Sequence, residues 1–479
     1  MYRSRIAFAL AMAALAAILV PSTLTAQITF QRTYGGPADD IGNSAQQTTD
    51  GGFIVCGYSK SFGHPHGDFY LVKTDSFGDT LWTRAYGEGS QNENWANSVE
   101  QTTDGGYVVA GYTGNEVYLV KTSADGDTLW TRTFGDTLSD SEGKAVRQTF
   151  DGGYIVTGYI WPGGADSAGV WLVKTDVNGD TLWTRTYGGL TGADGSSVQQ
   201  TADSGYVITG GTGDVYLIKT DAQGDTLWTR TFGGGSDDYG ECVRQTTDGG
   251  YVIAGFTGSF GAGMMDVYLI RTDAHGDTLW TRAYGGTDED LASSVQQTTD
   301  GGYIVAGRTS SFGAGGGDVW LIRTNANGDT LWTRTFGGTA NDASGSVQQT
   351  KDGGYVIAGI TDSYGAGGAD VYLIKTDSLG RVAVAVAEPK TTPTRAPALS
   401  LSCVPNPASG SITISLSPSI PLSLSPVLRI YDSQGRMVLS RDVSTSSFPL
   451  STSALPSGTY FIRLDAGGRH MTQRLIVQH

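Results

Sequence analysis

The sequence predicts an all-β protein whose main part is a closed β-propeller of seven four-stranded blades. Three observations lead to this prediction. First, the motif DGGY or a close variant recurs about every 50 residues, which is typical of propellers and solenoids. Second, each copy has two strands that are apolar on both faces and need cover on both. Third, no stretch shows helical periodicity, so sheets must cover sheets, and a ring leaves no end uncovered. The seven motifs begin at Asp50, Asp104, Asp151, Asp203, Asp248, Asp300 and Asp352.

The fifth repeat illustrates the predicted blade. Its four strands are Cys242–Thr246, Tyr251–Thr257, Asp266–Thr272 and Asp277–Gly285, which we call A, B, C and D, and glycine-containing turns join A to B and C to D. The order of an apolar strand B, an apolar strand C, a turn and a Trp-bearing outer strand D resembles that of kelch-type blades. Kelch blades usually carry a Gly-Gly pair where this chain has Ala254-Gly255. The resemblance covers residues 28–377.

Two segments compete for the outer strand of the last blade. Residues 28–36 match the tail of strand D in the repeats, yet they precede the first strand A. The seventh repeat lacks the Trp-bearing strand and continues into Ser378–Val386. We expect the N-terminal strand to complete the last blade and to close the ring without a covalent bond. The alternative is that Arg381–Val386 takes this place.

The first 26 residues predict a secretory signal peptide. Arg3 and Arg5 precede the apolar run Ile6–Val20, and small residues lead to a cleavage site before Gln27. The alternative is an uncleaved anchor, although 15 apolar residues are short for a bilayer span. Elsewhere no apolar run is long enough, so we expect no transmembrane segment in the mature chain.

Composition excludes some partners and leaves others open. The formal net charge of −16 over 479 residues argues against nucleic acid and anionic lipid surfaces. The three cysteines, Cys56, Cys242 and Cys403, cannot form a full disulfide framework. Because sister repeats have Ala at the position of Cys56, we expect this thiol to be a small buried apolar group.

The residues repeated in every blade are expected to build the blades. We expect the outer-strand tryptophans to pack between sheets, and the Arg two positions later to stack on the Trp or pair with a turn carboxylate. The turn Asp176–Asp180 has oxygen ligands at alternate positions, as in a Ca²⁺ loop, and partly resembles the Asp-box of sialidases. Its middle residue varies between repeats, so a hairpin turn is favoured, no cofactor is predicted, and Ca²⁺ stays an open alternative.

Catalytic motifs are absent from the sequence. It has no GxSxG, no HExxH and no phosphate-binding loop. His64 and His66 with Asp68 could hold a metal, although a solvated loop is the simpler interpretation. The chain is therefore predicted not to be an enzyme.

Ligand binding is predicted on one face of the propeller. The A–B and C–D turns are near copies and share one face, whereas the B–C and D–A loops share the other and carry most of the variation. Loops on a rigid scaffold are where recognition usually resides. The alternative is that the acidic residues only keep an exported protein soluble. The predicted contacts are the aromatic residues Trp95, Trp161 and Tyr239, with Phe62, Phe260, Phe312 and Tyr364 beside them, and the acidic residues Asp237, Asp238, Asp288 and Asp290.

A second, smaller β domain follows the propeller. The propeller is assigned to residues 27–387, a Pro- and Thr-rich linker to 388–402, and the second domain to 403–479. Period-two alternation and turn glycines predict five strands in it. These are Ser411–Leu416, Val427–Tyr431, Arg436–Asp442, Gly458–Leu464 and His470–Val477.

Four motifs of the second domain carry a specific resemblance. They are Pro405-Asn406-Pro407, the segment LRIYDSQGRMV with Gly435, the segment LPSGTYFIRL with Gly458 and Tyr460, and the closing RLIVQ. In this order, at the chain terminus, they resemble a type A C-terminal sorting domain of the type IX secretion system. The resemblance implies an immunoglobulin-like β-sandwich, contact with the secretion machinery, export across a Gram-negative outer membrane, and removal of the domain with surface attachment of the cargo.

The sequence therefore predicts a secreted or surface-attached binding protein with an unknown extracellular ligand, a glycan or a protein. The alternative is an extracellular hydrolase that acts on polysaccharide near the central channel. An enzyme should have special carboxylates or Tyr on the channel-facing A strands of one or two blades. The A strands look polar and uniform, as in SVEQT and SVQQT, which favours binding.

Overall fold

The structure is a computed structural model that describes residues 27–87, 92–135, 139–161, 168–188, 192–382, 401–404, 408–416, 427–432, 436–443, 445, 447–466 and 469–479. Every regular element in these ranges is a β-strand. The predicted signal peptide 1–26, most of the predicted linker 388–402, and the sorting-motif residues Pro405, Asn406, Pro407 and Gly435 lie outside them. Within the described ranges no helix is long and apolar enough to cross a membrane.

The first 28 strands form seven antiparallel four-stranded sheets, the blades of the propeller. Blade 1 consists of β2 (Asp40–Gln47), β3 (Phe53–Ser59), β4 (Asp68–Thr74) and β5 (Thr80–Tyr86). Blade 2 consists of β6 (Asn94–Gln101), β7 (Tyr107–Thr113), β8 (Glu116–Thr122) and β9 (Thr128–Phe134). Blade 3 consists of β10 (Asp140–Gln148), β11 (Tyr154–Trp161), β12 (Gly169–Thr175) and β13 (Thr181–Tyr187). Blade 4 consists of β14 (Asp194–Gln200), β15 (Tyr206–Gly211), β16 (Val215–Thr220) and β17 (Thr226–Phe232). Blade 5 consists of β18 (Asp238–Gln245), β19 (Tyr251–Thr257), β20 (Asp266–Thr272) and β21 (Thr278–Tyr284). Blade 6 consists of β22 (Asp290–Gln297), β23 (Tyr303–Thr309), β24 (Asp318–Thr324) and β25 (Thr330–Phe336). Blade 7 consists of β26 (Asp342–Gln349), β27 (Tyr355–Thr361), β28 (Asp370–Thr376) and β1 (Phe30–Tyr34).

The N-terminal strand closes the ring, as predicted. Strand β1 pairs antiparallel with β28, with Phe30 opposite Lys375 and Tyr34 opposite Val371. Side chains of β1, blade 1 and blade 7 share one apolar cluster. The backbone N–H of Ala45 in blade 1 also donates to Ser346 Oγ of blade 7 at 2.9 Å. First and last blades are thus neighbours, and no sheet face is left as an end.

The outer-strand tryptophans join neighbouring blades, as expected. Trp82 of blade 1 packs edge-on against Tyr107 of blade 2, with ring centroids 5.9 Å apart. The Arg84 guanidinium lies 5.5 Å from the Trp82 ring centroid and 3.6 Å from Asp127 in the next C–D turn. The same Trp and Arg pairing recurs at Trp130, Trp183, Trp228, Trp280 and Trp332.

A ring of glutamines explains why the A strands look uniform. The last Gln of each A strand accepts a hydrogen bond from a backbone N–H of the preceding blade, at 2.7–3.0 Å. The seven acceptors are Gln47, Gln101, Gln148, Gln200, Gln245, Gln297 and Gln349. The bond from Lys351 N to Gln47 Oε1 closes this ring at 2.9 Å. The repeated glutamine therefore supports the ring, since each one satisfies a turn donor of its neighbour.

The A strands are longer than predicted, because each contains a β-bulge. In blade 5 the pairing with β19 shifts between Gly240 and Cys242, which leaves Glu241 as the extra residue. An extra residue breaks the period-two alternation by which a strand is recognised in sequence. Consequently Tyr239 and Asp238, predicted to lie in a loop, belong to strand β18.

The second domain is a two-sheet β-sandwich, as predicted. One sheet has the order β29–β30–β33 and the other β32–β31–β34–β35. Ile412 and Ile414 of the first sheet share an apolar core with Leu428, Ile430 and Ile462 of the second. The strands are β29 (Leu401–Val404), β30 (Ser411–Leu416), β31 (Val427–Asp432), β32 (Met437–Asp442), β33 (Ser447–Ser451), β34 (Gly458–Ala466) and β35 (Arg469–Val477).

The prediction missed two of these strands. Strand β33 contains a proline, which weakens its sequence signal. Strand β29 begins inside the predicted linker. Of the sorting-motif residues that the structure describes, Gly458 begins β34, and Tyr460 is buried and donates from its hydroxyl to the Pro456 carbonyl at 2.9 Å.

Candidate functional site

On the predicted binding face, the B–C loops of blades 1, 5, 6 and 7 are copies of one structure. Each contains Ser, then Phe or Tyr, then Gly, and its aromatic ring packs on an aromatic residue of strand C. Phe62 packs on Tyr70 at 5.2 Å and Phe312 on Trp320 at 5.3 Å between centroids. Phe260 and Tyr364 repeat this contact. These four predicted contacts therefore hold their own loops in place.

The acidic residues of this face divide into buried and exposed members. Asp238 Oδ2 accepts from Gly234 N at 2.9 Å and from Ser259 Oγ at 2.7 Å. Asp290 Oδ2 makes the same two bonds, from Gly286 N and Ser311 Oγ. Both carboxylates are fully buried, so neither lies on the open surface of this face where a glycan or a protein could contact it, contrary to the expectation. Asp237 and Asp288 are exposed on the loops.

The blade 1 loop with His64, His66 and Asp68, for which a metal site was the less favoured interpretation, also follows the repeated pattern. His64 donates its backbone N–H to Asp68 Oδ2 at 2.7 Å, and its ring Nδ1 lies 3.0 Å from the same oxygen. The carbonyl of His66 accepts from the Tyr58 hydroxyl at 3.0 Å. Within the described part of the chain, no three His, Cys, Asp or Glu side chains are grouped to hold a metal ion.

Blades 2 to 4, with the adjoining edge of blade 5, depart from the repeat. Trp95 at the start of strand A in blade 2 stacks on Tyr58 of blade 1, with centroids 4.2 Å apart. Tyr239 of blade 5 stacks on Phe256 at 5.5 Å and fills the space above Gly211 of blade 4, where any side chain would collide with its ring. Trp161 ends strand B of blade 3 and is 48% exposed.

Carboxylates and further tyrosines lie between these aromatic residues. In the A–B pairing of blades 2 and 3, Trp95 is opposite Tyr112 and Glu142 is opposite Tyr159. Opposite residues share a sheet face, so all four line the same rim. Asp194 begins strand A of blade 4 on that rim. We call the set Trp95, Tyr112, Glu142, Tyr159, Trp161, Asp194 and Tyr239 the channel mouth.

The channel below the mouth is lined by two rings of A-strand side chains around a cavity of about 390 Å³. The upper ring consists of the bulge residues Asn43, Asn97, Lys144, Ser196, Glu241, Ser293 and Gly345. The lower ring consists of Gln46, Glu100, Arg147, Gln199, Arg244, Gln296 and Gln348. The channel therefore contains charges of both signs, concentrated in blades 2, 3 and 5.

Burial shifts the pKa values of two carboxyl groups at the channel, those of Glu241 and Asp194. Burial and the nearby Asp194 raise the pKa of Glu241 to about 7, against the opposing effect of Lys144. Burial also raises the pKa of Asp194, and interaction with the Tyr239 hydroxyl only partly opposes it. Tyr239 accepts a hydrogen bond from Ser196 Oγ at 3.0 Å, and Lys144 Nζ pairs with Glu142 at 2.7 Å. Near neutral pH, Glu241 thus exchanges a proton with solvent and serves as donor or acceptor.

Sequence reasoning identified Trp95, Trp161 and Tyr239 but missed the bulge ring. The signal was present, because the residue two positions before the recurring Val (Ala45 in blade 1) differs in type between blades: Asn, Lys, Ser, Glu or Gly. It was overlooked because the bulge moves this position out of register with the alternating pattern. Strand A of blades 3 to 5 therefore carries the special carboxylates and Tyr that the sequence had been thought to lack.

Comparison with known proteins supports, in particular, the assignment of the second domain as a sorting domain. Residues 402–478 match the family model of the secretion system C-terminal sorting domain, which confirms the prediction of a sorting domain. Such a domain implies export by the type IX secretion system and a secreted or outer-surface location.

The other likenesses are more distant. The regulatory protein FlaEY of Caulobacter vibrioides is 33% identical over 106 residues, which are 20% of this chain and 11% of the relative, so the chain spans about a tenth of that protein's length. Among solved structures, PorZ, described as an essential surface component of the type IX secretion system of Porphyromonas gingivalis, is 12% identical with a TM-score of 0.42, over 93% of this chain and 60% of PorZ. A Bacteroides caccae protein of unknown function is 11% identical with a TM-score of 0.37, over 56% of this chain and 90% of that protein.

Proposed function

We propose that this chain, which carries a secretion system C-terminal sorting domain, is an exported protein whose propeller binds an extracellular glycan at the channel mouth. One observation carries the proposal. The blades repeat one another closely in their loops and A strands, and the departures from the repeat converge in blades 2 to 5 around one opening. Residues that only build the ring are needed in every blade, whereas residues that bind a ligand are needed at one place.

The chemistry of the mouth favours a sugar over a purely cationic ligand. Trp95, Tyr159 and Trp161 offer aromatic faces, on which the apolar face of a sugar ring packs. Glu142 and Asp194 accept hydrogen bonds, and the Lys144 ammonium donates them. Because Glu142 is already paired with Lys144, the mouth has mixed charge and suits a ligand that both donates and accepts hydrogen bonds.

A glycan array probed with the full chain tests this proposal. We expect binding to a restricted set of saccharides and a loss of affinity of at least about tenfold, about 1.4 kcal/mol, in Trp161→Ala. Simultaneous replacement of Trp95, Trp161 and Tyr239 by Ala should abolish binding. The matched control is Phe312→Ala, because Phe312 is 46% exposed on a regular loop. Unchanged affinity in the Trp161 variant, or equal losses in both single variants, would exclude the mouth as the site. Binding to cationic peptides but to no saccharide would exclude the glycan.

A polysaccharide hydrolase is the second candidate, and the pair Asp194 and Glu241 favours it. A glycosidase uses two carboxyl groups, one of which stays protonated near neutral pH and acts as general acid. The raised pKa of Glu241, about 7, is suited to that role. We expect Glu241→Gln to abolish release of reducing ends from any polysaccharide that the wild type cleaves. A panel of polysaccharides that stays intact with the wild type would exclude this function and leave binding.

A further inference from the structure

Pairs of aspartates face one another across four successive junctions between blades. In each pair the first residue of strand C, or the residue just before it, meets the first residue of strand A of the next blade. A glycine lies between them, and a methyl group on that glycine would collide with both carboxylates. The pairs are Asp214 with Asp238, Asp266 with Asp290, Asp318 with Asp342, and Asp370 with Asp40.

The pair between blades 5 and 6 is buried on both sides, whereas Asp214 in the pair between blades 4 and 5 is only partly buried. Asp266 and Asp290 are 1% and 0% exposed. Asp266 Oδ2 accepts from Ala262 N at 2.7 Å, while Asp290 accepts from Gly286 N, Ser311 Oγ and the Thr309 hydroxyl. Asp266 Oδ1 has no hydrogen-bond partner among the described residues and points at the same glycine as Asp290 Oδ2. Neither carboxylate forms an ion pair with a described basic residue.

The other junctions provide a natural comparison. Between blades 1 and 2 the second aspartate is replaced by Asn94, whose Nδ2 donates to Asp68 Oδ1 at 3.0 Å. An amide in this position satisfies the facing carboxylate and leaves a single negative charge. The following two junctions have Glu116 with Ser141, and Gly169 with Ala193, so neither contains two facing acids.

Two facing carboxylates in a buried site require a positive partner, because their repulsion and desolvation are large in a low-dielectric environment. Oxygen is abundant at each pair. Around Asp290 the oxygens are those of the Asp266 carboxylate across Gly285, the Ser311 and Thr309 hydroxyls, and the Met265 carbonyl, which accepts from Asp290 N. Such oxygen-rich sites suit Ca²⁺. We propose that these four junctions each bind one Ca²⁺ ion and that the cation joins neighbouring blades.

Calcium titration of the full chain by isothermal calorimetry, after removal of divalent cations with a chelator, tests the proposal. We expect about four ions per chain and a Tm several degrees higher with Ca²⁺ than with chelator. Asp290→Asn should remove one ion, because it converts the junction between blades 5 and 6 into the natural arrangement of Asp68 with Asn94. The matched control is Asp125→Asn, an exposed carboxylate in a C–D turn on the opposite face, which should leave the stoichiometry unchanged.

The reverse change is the second test. Asn94→Asp creates a fifth pair and should add one ion. It also keeps the proposal falsifiable if Asp290→Asn fails to fold. No Ca²⁺ binding by the wild type, or a stoichiometry that neither variant alters, would overturn the proposal and indicate that the pairs are neutralised by protons.

Discussion

At the scale of single residues, the repeated charges of this chain form ion pairs within the blades. A buried Lys or Arg on strand C pairs with the Asp of the DGG turn in each of the seven blades. In blade 2, Lys121 Nζ lies 2.9 Å from Asp104 Oδ2. Burial by itself would raise the pKa of Asp104, but bonds from Thr102, Lys121 and Gly106 outweigh it and lower the pKa to about 2. The buried cation thereby satisfies hydrogen-bonding groups of both the A–B turn and the end of strand C.

This pairing predicts the acid stability of the propeller. A carboxyl whose pKa is lowered in the folded state stabilises the fold above its unfolded pKa, near 4, and the contribution is lost as the pH falls toward 2. We expect the Tm to fall over this range. Asp104→Asn should show a smaller fall than the wild type, whereas Asp125→Asn should show the full fall, as measured by thermal melts. Equal slopes in wild type and Asp104→Asn would contradict the prediction.

Glu241 predicts the opposite dependence on pH. Its raised pKa, about 7, means that the neutral form is favoured in the channel, so its contribution is present at low pH and is lost as the pH rises through about 7. Glu241→Gln should therefore melt at a higher temperature than the wild type at about pH 8, with the difference shrinking toward pH 5. Glu100→Gln is the matched control. It also replaces a carboxylate of the channel, and Gln occupies this position of the lower ring in every other blade that has a neutral residue there. A difference that does not vary with pH would refute this assignment.

At the scale of elements, the bulged strand A is the feature that shapes the channel below the mouth. The extra residue lets one side chain of each of blades 1 to 6 enter the channel, since the bulge residue of blade 7 is Gly345. The glutamine ring further along the same strand holds neighbouring blades together. The contacts that hold the ring and the side chains that line the channel are thus separated along a single strand. The Gln that joins blades is identical in all seven, and the bulge residue differs.

The pairing of strand β1 with β28 predicts that β1 is needed to keep the ring closed. Without it, the edge of β28 and the apolar cluster around Phe53 and Val356 would be exposed. We expect deletion of residues 27–36 to lower the Tm by more than about 10 °C or to cause aggregation in size-exclusion chromatography. Replacement of residues 383–386 by Gly and Ser is the control and should change neither property. A deletion variant that melts like the wild type would show that β1 is dispensable.

At the scale of the whole molecule, the chain combines a propeller, for which we propose ligand binding, with a sorting domain, which implies export by the type IX secretion system. The propeller presents its variable side chains at one opening of a ring held by contacts from every blade. The sandwich has an apolar core of its own, and its two sheets share no strand with the propeller blades. This separation is expected of a sorting signal that is read independently of its cargo.

Deletion of residues 402–479 tests the export function. We expect the truncated chain to accumulate in the periplasm with its propeller folded, because the strands of the sorting domain belong to none of the seven blade sheets. Cell fractionation and surface labelling would detect this. Trp161→Ala in the full chain is the control and should reach the surface normally. Normal surface display of the truncated chain would refute the role of the domain.

The sequence alone determined the architecture of this protein. Strands apolar on both faces, repeated seven times without helices, have no cover except one another, and a matching strand at the N-terminus indicated how the ring closes. The motifs around Gly458 and Tyr460 likewise identified the sorting domain, because they are local in sequence.

Only the tertiary structure decided which side chains are available to a ligand. Asp238 and Asp290 look like surface acids in the sequence, yet they are buried at blade junctions by residues about 20 positions away. Glu241 looks like an ordinary polar strand residue, yet a bulge directs it into the channel beside Asp194 of another blade. Burial and proximity of this kind arise from contacts between blades, and residue order within one repeat does not encode them.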